Sequence, residues 1–143
     1  TAAELVRVCK PGGVIVMANW TPEAFTGQMF KLGAKHVPPP PGMPSPVLWG
    51  KEDVVSDRLA DGISDLQMTR RKIMFNYEME PADVVEQFRL YFGPTVMAFS
   101  KLDADCQAAF RSDLEALWTE NNRATDGTTQ VESEYLEVRA TRA

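Results

Sequence analysis

The sequence predicts an α/β fold, and three observations carry that prediction. A five-residue apolar run, Val14 to Ala18, follows the turn Pro11-Gly12-Gly13. It is rich in β-branched residues, which is how strands buried on both faces of an α/β sheet are written. Two later segments, Ile63 to Tyr77 and Gln130 to Ala140, alternate apolar and polar residues with the period of a strand. Around them lie stretches whose apolar residues recur every three or four positions, the period of a helix packed on one side. Alternation of the two periods along one chain implies a layered sandwich of sheet and helices.

Taken in order, Leu5 and Cys9 lie one turn apart behind Ala2, so a helix ends near Cys9, where Pro11-Gly12-Gly13 stops it. The buried strand follows. Thr21-Pro22-Glu23 then offers a capping hydroxyl, a proline at the first helical position and an early acid. Phe25, Met29, Leu32 and His36 fall on one face of the helix this starts. Residues Val37 to Gly50 carry Pro38 to Pro41, Pro44 and Pro46, and so many missing donors and fixed φ angles leave a rigid loop. Lys51 to Ala60 forms a short helix with Val54, Val55 and Leu59 inward. In the next strand Ile73, Phe75 and Tyr77 share a face, and Arg70-Arg71 marks a bulge or an exposed stretch. Pro81 to Phe92 stacks Val84, Phe88 and Tyr91 on one side of a helix, which Gly93-Pro94 ends or kinks. Asp103 caps a longer helix with the stripe Cys106, Phe110, Leu114, Leu117 and Trp118. The closing strand places Leu136, Val138 and Ala140 on its better-buried face.

At 143 residues the chain has room for one core. Its formal charge of -5 argues against a nucleic-acid surface, and no segment approaches the length of a membrane span. Cys9 and Cys106 each occupy an apolar helical position with no second cysteine nearby, the pattern of buried free thiols in a reducing cytoplasm.

The usual signatures of catalysis are missing. The sequence holds no G-x-S-x-G, H-E-x-x-H, C-x-x-C, phosphate loop or G-x-G-x-x-G. No catalytic residue is assigned. The single histidine, His36, closes a helix's apolar stripe, which gives it a structural or pocket-lining role. Ligands in open α/β sheets bind beyond the carboxyl ends of strands, which draws attention to Asn19 and Trp20. Trp20 either faces such a crevice or staples the following helix; Trp49 either walls a lid or anchors the proline loop.

Leu5-Val6-Arg7-Val8-Cys9-Lys10-Pro11-Gly12-Gly13 and the strand after it resemble the segment entering the fifth strand of class I S-adenosylmethionine-dependent methyltransferases. Ala18-Asn19-Trp20-Thr21-Pro22-Glu23, the loop Val37 to Gly50 and Phe92-Gly93-Pro94-Thr95 look like the small-molecule, quinone-biosynthesis branch of that family. The resemblance spans the chain but corresponds only to the C-terminal half of a Rossmann-like methyltransferase fold. It implies a three-layer sandwich whose strands, Val14 to Asn19, about Leu66 to Tyr77 and about Thr129 to Ala140, take the family order 5-7-6 with the last antiparallel.

By the same resemblance the methyl donor, S-adenosylmethionine, is held by a glycine-rich loop and an acid upstream of Thr1, so no cofactor residue is assigned here. The acceptor side is assigned to Asn19, Trp20, His36 and Trp49, with residues 37–50 as cover for a small molecule. The implied function is that of a methyltransferase fragment, inactive alone. The alternative is a non-catalytic α/β module for dimerisation or ligand binding. Loss of a neighbouring strand would leave Val14 to Asn19 as an open edge, a liability that proteins cover, and a homodimer through that edge is expected.

Overall fold

The last segment of the chain becomes the middle of the sheet. In the computed structural model, which describes residues 1–143, β3 (Thr129–Arg142) lies between β1 (Val14–Trp20) and β2 (Ile63–Tyr77) and runs antiparallel to both. The outer strands therefore point the same way. Their pairing is continuous from Val14 opposite Thr141 to Trp20 opposite Tyr135, and from Asp65 opposite Thr141 to Tyr77 opposite Thr129, with one irregularity between Ile63 and Asp65.

Register decides which side chains share a face, because successive residues of a strand point to opposite sides. Ile15, Met17, Leu136, Val138 and Ala140 line one face, where they pack with residues of α1 (Ala2–Val8), with Val55 of α3 (Glu52–Arg58) and with Leu59 just beyond it. On the opposite face Val131 joins a larger core built by α2 (Phe25–His36), α4 (Pro81–Tyr91), α5 (Gly93–Ser100) and α6 (Ala104–Asn121). Trp118 is fully buried at its centre, with Phe25, Phe75, Tyr77 and Phe88 around it at centroid distances of 4.5 to 6.4 Å.

Each face is thus covered mainly at one end. The buried positions of β3 accordingly change parity, from Thr129, Val131 and Ser133 to Leu136, Val138 and Ala140. Thr26 and Ser133 join α2 to β3 through a buried hydroxyl pair 2.9 Å apart, with the Thr26 backbone N–H donating to the same Ser133 oxygen. Glu86 of α4 accepts hydrogen bonds from Arg89 and Arg111, which hold its carboxyl down at about 2 and tie α4 to α6.

The α/β class, the Asp103 cap (Cys106 N–H to Oδ1, 2.8 Å) and the buried series Leu136, Val138, Ala140 agree with the sequence. Several finer expectations do not. β1 is buried on one face only: Val14 and Val16 are 45% and 67% exposed, since the helices on their side cover the other end of the sheet. Thr21 caps no helix; it is buried, its backbone N–H and hydroxyl both donate to the Glu134 carbonyl, and α2 begins at Phe25 behind Ala24.

Tyr91 is 79% exposed and Val85 takes the inward position beside Val84, because α4 rotates that face toward α6. Gly93-Pro94 opens a separate helix, α5, with proline in its first turn rather than merely ending α4. The proline loop closes in a 3-10 helix, Pro46–Gly50. Cys106 is exposed in the first turn of α6 and Cys9 is half-buried, so the pair are free thiols but not buried ones. Arg70-Arg71 sits in unbroken register as an exposed, ion-paired stretch, with Arg70 on Glu52 and Glu134 and Arg71 on Glu137. No helix is long and apolar enough to cross a membrane.

Candidate functional site

The carboxyl end of β1 is held from two sides by glycines. A Cβ at Gly27 of α2 would lie 2.2 Å from the Thr21 carbonyl oxygen, and one at Gly50 would lie 2.0 Å from that of Trp20. Neither position has room for a side chain. This double approach fixes α2 and the 3-10 helix against the strand end, and the proline loop must span between them.

Between that loop, α2 and α5 lies a half-open apolar cavity of about 280 Å3. Met29, Phe30, Gly33 and Ala34 of α2 form one wall, and the loop contributes Val37, Pro39 and the run Met43 to Pro46. Across from them stand Phe92, Pro94, Thr95 and Ala98, with Lys101 following α5 and Phe110 of α6 beneath. Phe30 and Phe92 approach with centroids 6.3 Å apart, which narrows the space without closing it. Apolar walls with a few polar groups are the usual make-up of a small-molecule site.

The polar side chains here are the hydroxyls of Ser45 and Thr95 and the Lys101 ammonium. No acid, thiol or imidazole lines the space, so the lining can bind, orient and dehydrate a ligand but supplies no acid–base pair. No group of three or more His, Cys, Asp and Glu side chains in the fold is placed to hold a metal ion.

The four residues nominated from the sequence do not converge on this cavity. Asn19 points to the α3 face of the sheet, where its Nδ2 is buried without a hydrogen-bond partner. Trp20 packs on the opposite face against Phe75 (5.7 Å) and Tyr135 (6.1 Å), and so acts as a sheet-packing residue. Trp49 anchors the end of the proline loop, with the Arg58 guanidinium 4.5 Å above its ring.

His36 sits one layer behind the cavity. Its ring rests 5.0 Å from Phe110, whose side chain reaches the cavity wall. His36 Nε2 lies 2.8 Å from Asp113 Oδ2, and Lys35 Nζ bonds the same oxygen at 3.0 Å. These two partners, His36 foremost, hold the Asp113 carboxyl below the usual carboxylate range. An ionised carboxylate only accepts, so Nε2 carries the proton in this pair. The arrangement fastens the end of α2 to α6 and positions Phe110.

The loop 37–50, singled out in the sequence by its prolines, does wall a cavity; the opposite wall went unforeseen. The sequence reads Phe92, Pro94 and Thr95 as a helix stop and as part of a segment resembling the small-molecule branch, and neither reading places them opposite the loop. Gly33 carried a second signal. A glycine inside a helix costs stability relative to alanine, and unlike at Gly27, a Cβ at this position would meet no atom within 4 Å.

No family model matches the chain. It is similar to an uncharacterized protein of Mycobacterium tuberculosis, Rv1403c, at 33% identity over 123 residues, covering 84% of this chain and 45% of the relative. A second from that organism, Rv1405c, is 33% identical over 137 residues, covering 94% of this chain and 49% of the relative. Mycobacterium bovis has an uncharacterized protein, Mb1438c, with the same match as the first. The chain spans about half the length of the curated relatives it matches.

Proposed function

We propose that this chain is the acceptor-side half of an S-adenosylmethionine-dependent methyltransferase acting on a small molecule. The observation that carries the reading is the sheet order β1-β3-β2, with β3 antiparallel between two outer strands that run alike. The methyltransferase resemblance implies that arrangement for strands five, seven and six. The cavity adds support, because the two segments that resemble the small-molecule branch, residues 37–50 and Phe92 to Thr95, form much of its lining.

When bound, S-adenosylmethionine supplies an electrophilic methyl group. The residues of the cavity do not fit the donor itself: no carboxylate is present for its ribose hydroxyls or ammonium group, and Lys101 opposes its positive sulfonium. The chain's own contribution is to place the acceptor. Apolar walls from α2, the proline loop and α5 strip water from it, and rigid prolines hold one orientation, which is how such transfers gain rate without an acid or base. Calorimetry with S-adenosylmethionine tests the reading. The natural gene product is expected to give saturable heat and residues 1–143 alone none; absence of saturable heat from the natural gene product sinks it.

A second reading, a non-catalytic dimerisation module, is favoured by one observation. The outer edge of β1 is unpaired, and Val14 and Val16 beside it are exposed, as an edge awaiting a partner strand would be. On that reading residues 1–143 form a homodimer through Val14 to Asn19, and light scattering gives twice the 15.9 kDa chain mass. A single species at the chain mass, even at high concentration, excludes it.

A further inference from the structure

We propose that the cavity between α2, the proline loop and α5 binds an apolar small molecule bearing one carboxylate, its body against Phe30, Gly33 and Phe92 and its carboxylate at Lys101. This deepens the acceptor reading above and rests on it for the ligand's role as a substrate.

Charge is the first ground. The chain carries a net -5, yet none of the 17 residues lining the cavity is acidic and Lys101 is the one charged group among them. Lys101 takes part in none of the chain's ion pairs. A lone exposed ammonium beside an apolar hollow is complementary to an amphiphilic anion. A neutral ligand would leave it idle, and a cation would be repelled.

Gly33 is the second ground. Gly27 in the same helix is required by the backbone pressed against it, whereas a Cβ on Gly33 would meet nothing within 4 Å. The helix therefore forgoes the stability of an alanine where the only thing gained is space in the cavity wall. That space suits a flat apolar body lying close to the helix backbone, alongside the contacting rings of Phe30 and Phe92. Size limits the ligand to a small one: about 280 Å3 lies just below the roughly 300–1,000 Å3 typical of ligand sites. Thr95, buried and lining this space, adds a hydroxyl to its few polar groups.

The test is titration calorimetry of the natural gene product, without methyl donor, using 2-naphthoate and its uncharged isostere 2-naphthamide. The acid is expected to bind at one site and about fivefold tighter than the amide, the scale of an exposed ion pair. Lys101→Gln should erase that preference and leave the amide's affinity unchanged. Gly33→Leu, which fills the hollow from a position with room for a side chain, should remove binding of both while the protein stays folded by circular dichroism. Equal binding of acid and amide, a preference that survives Lys101→Gln, or wild-type binding by Gly33→Leu overturns the proposal. Since no donor is present, these results are independent of whether the gene product binds S-adenosylmethionine. A methyltransferase with an uncharged acceptor would pass the donor test and fail this one.

Discussion

Trp118→Ala is expected to destabilise the fold by about 3–5 kcal/mol, the range for deleting a fully buried large aromatic. A domain of this kind has only about 5–15 kcal/mol to lose, so urea unfolding should shift to a much lower midpoint or begin without denaturant. The size follows from position. Trp118 is 0% exposed where α6 meets β2, α2 and α4, and four aromatic rings close on it, three of them edge-on. Truncation leaves a cavity those rings cannot fill without abandoning their contacts with one another. Trp118→Phe is the informative partner. The indole Nε1 is buried with no hydrogen-bond acceptor, so phenylalanine removes an unpaired donor along with part of the volume. Its cost should be less than half that of alanine, and an equal cost would mean that the indole N–H is not unpaired in the folded protein.

The class of fold was legible because periodicity survives in the elements that matter most. The alternation at Leu136 to Ala140 and the stripe Phe110, Leu114, Trp118 reflect burial that the sequence encodes locally, and the β-branched run Val14 to Ala18 marks a strand. What failed depended on coverage by distant segments. An apolar strand cannot announce that only one of its faces is covered, and Val14 and Val16 are exposed although their residue types match those of Ile15. The parity change in β3 between Ser133 and Leu136 is likewise a property of which helices lie over each end. Ser133 looks like a solvent position until its hydroxyl is seen bonded to Thr26, 107 residues away in the chain.

The candidate site was half legible for a related reason. Proline imposes its own geometry, so a rigid loop over residues 37–50 could be foreseen from that segment alone. The wall it faces comes from α5, an eight-residue helix whose sequence, Gly93 to Ser100, is apolar nearly all round and has no helical stripe to read. Asn19, Trp20 and Trp49 were nominated by residue type and by place at a strand end. Types alone could not separate Trp20, which packs on the sheet, from Phe30, which lines the hollow.

Gly50→Ala should be nearly as damaging as loss of Trp118, at about 3 kcal/mol or somewhat more, the upper part of the range for forcing an extra carbon into a packed site. The reason is not backbone conformation, since Gly50 is not among the glycines with positive φ. It is contact: the added carbon would stand 2.0 Å from the Trp20 oxygen, 2.7 Å from its carbonyl carbon and 2.8 Å from the Thr21 Cα. All three are backbone atoms at the end of a paired strand, and none can swing aside as a flexible side chain would. The 3-10 helix must move instead, carrying Trp49 away from Arg58 and slackening the proline loop that walls the cavity. Urea unfolding should therefore show the stability loss, and titration with 2-naphthoate should show weakened binding in the protein that remains folded. Gly33→Ala is the control for stability only, because its new carbon meets no protein atom within 4 Å and its helix gains roughly 0.5–1 kcal/mol. If Gly50→Ala unfolds at the wild-type midpoint, the loop is not pinned to the strand end, and the cavity's shape must be set by α2 and α5 alone.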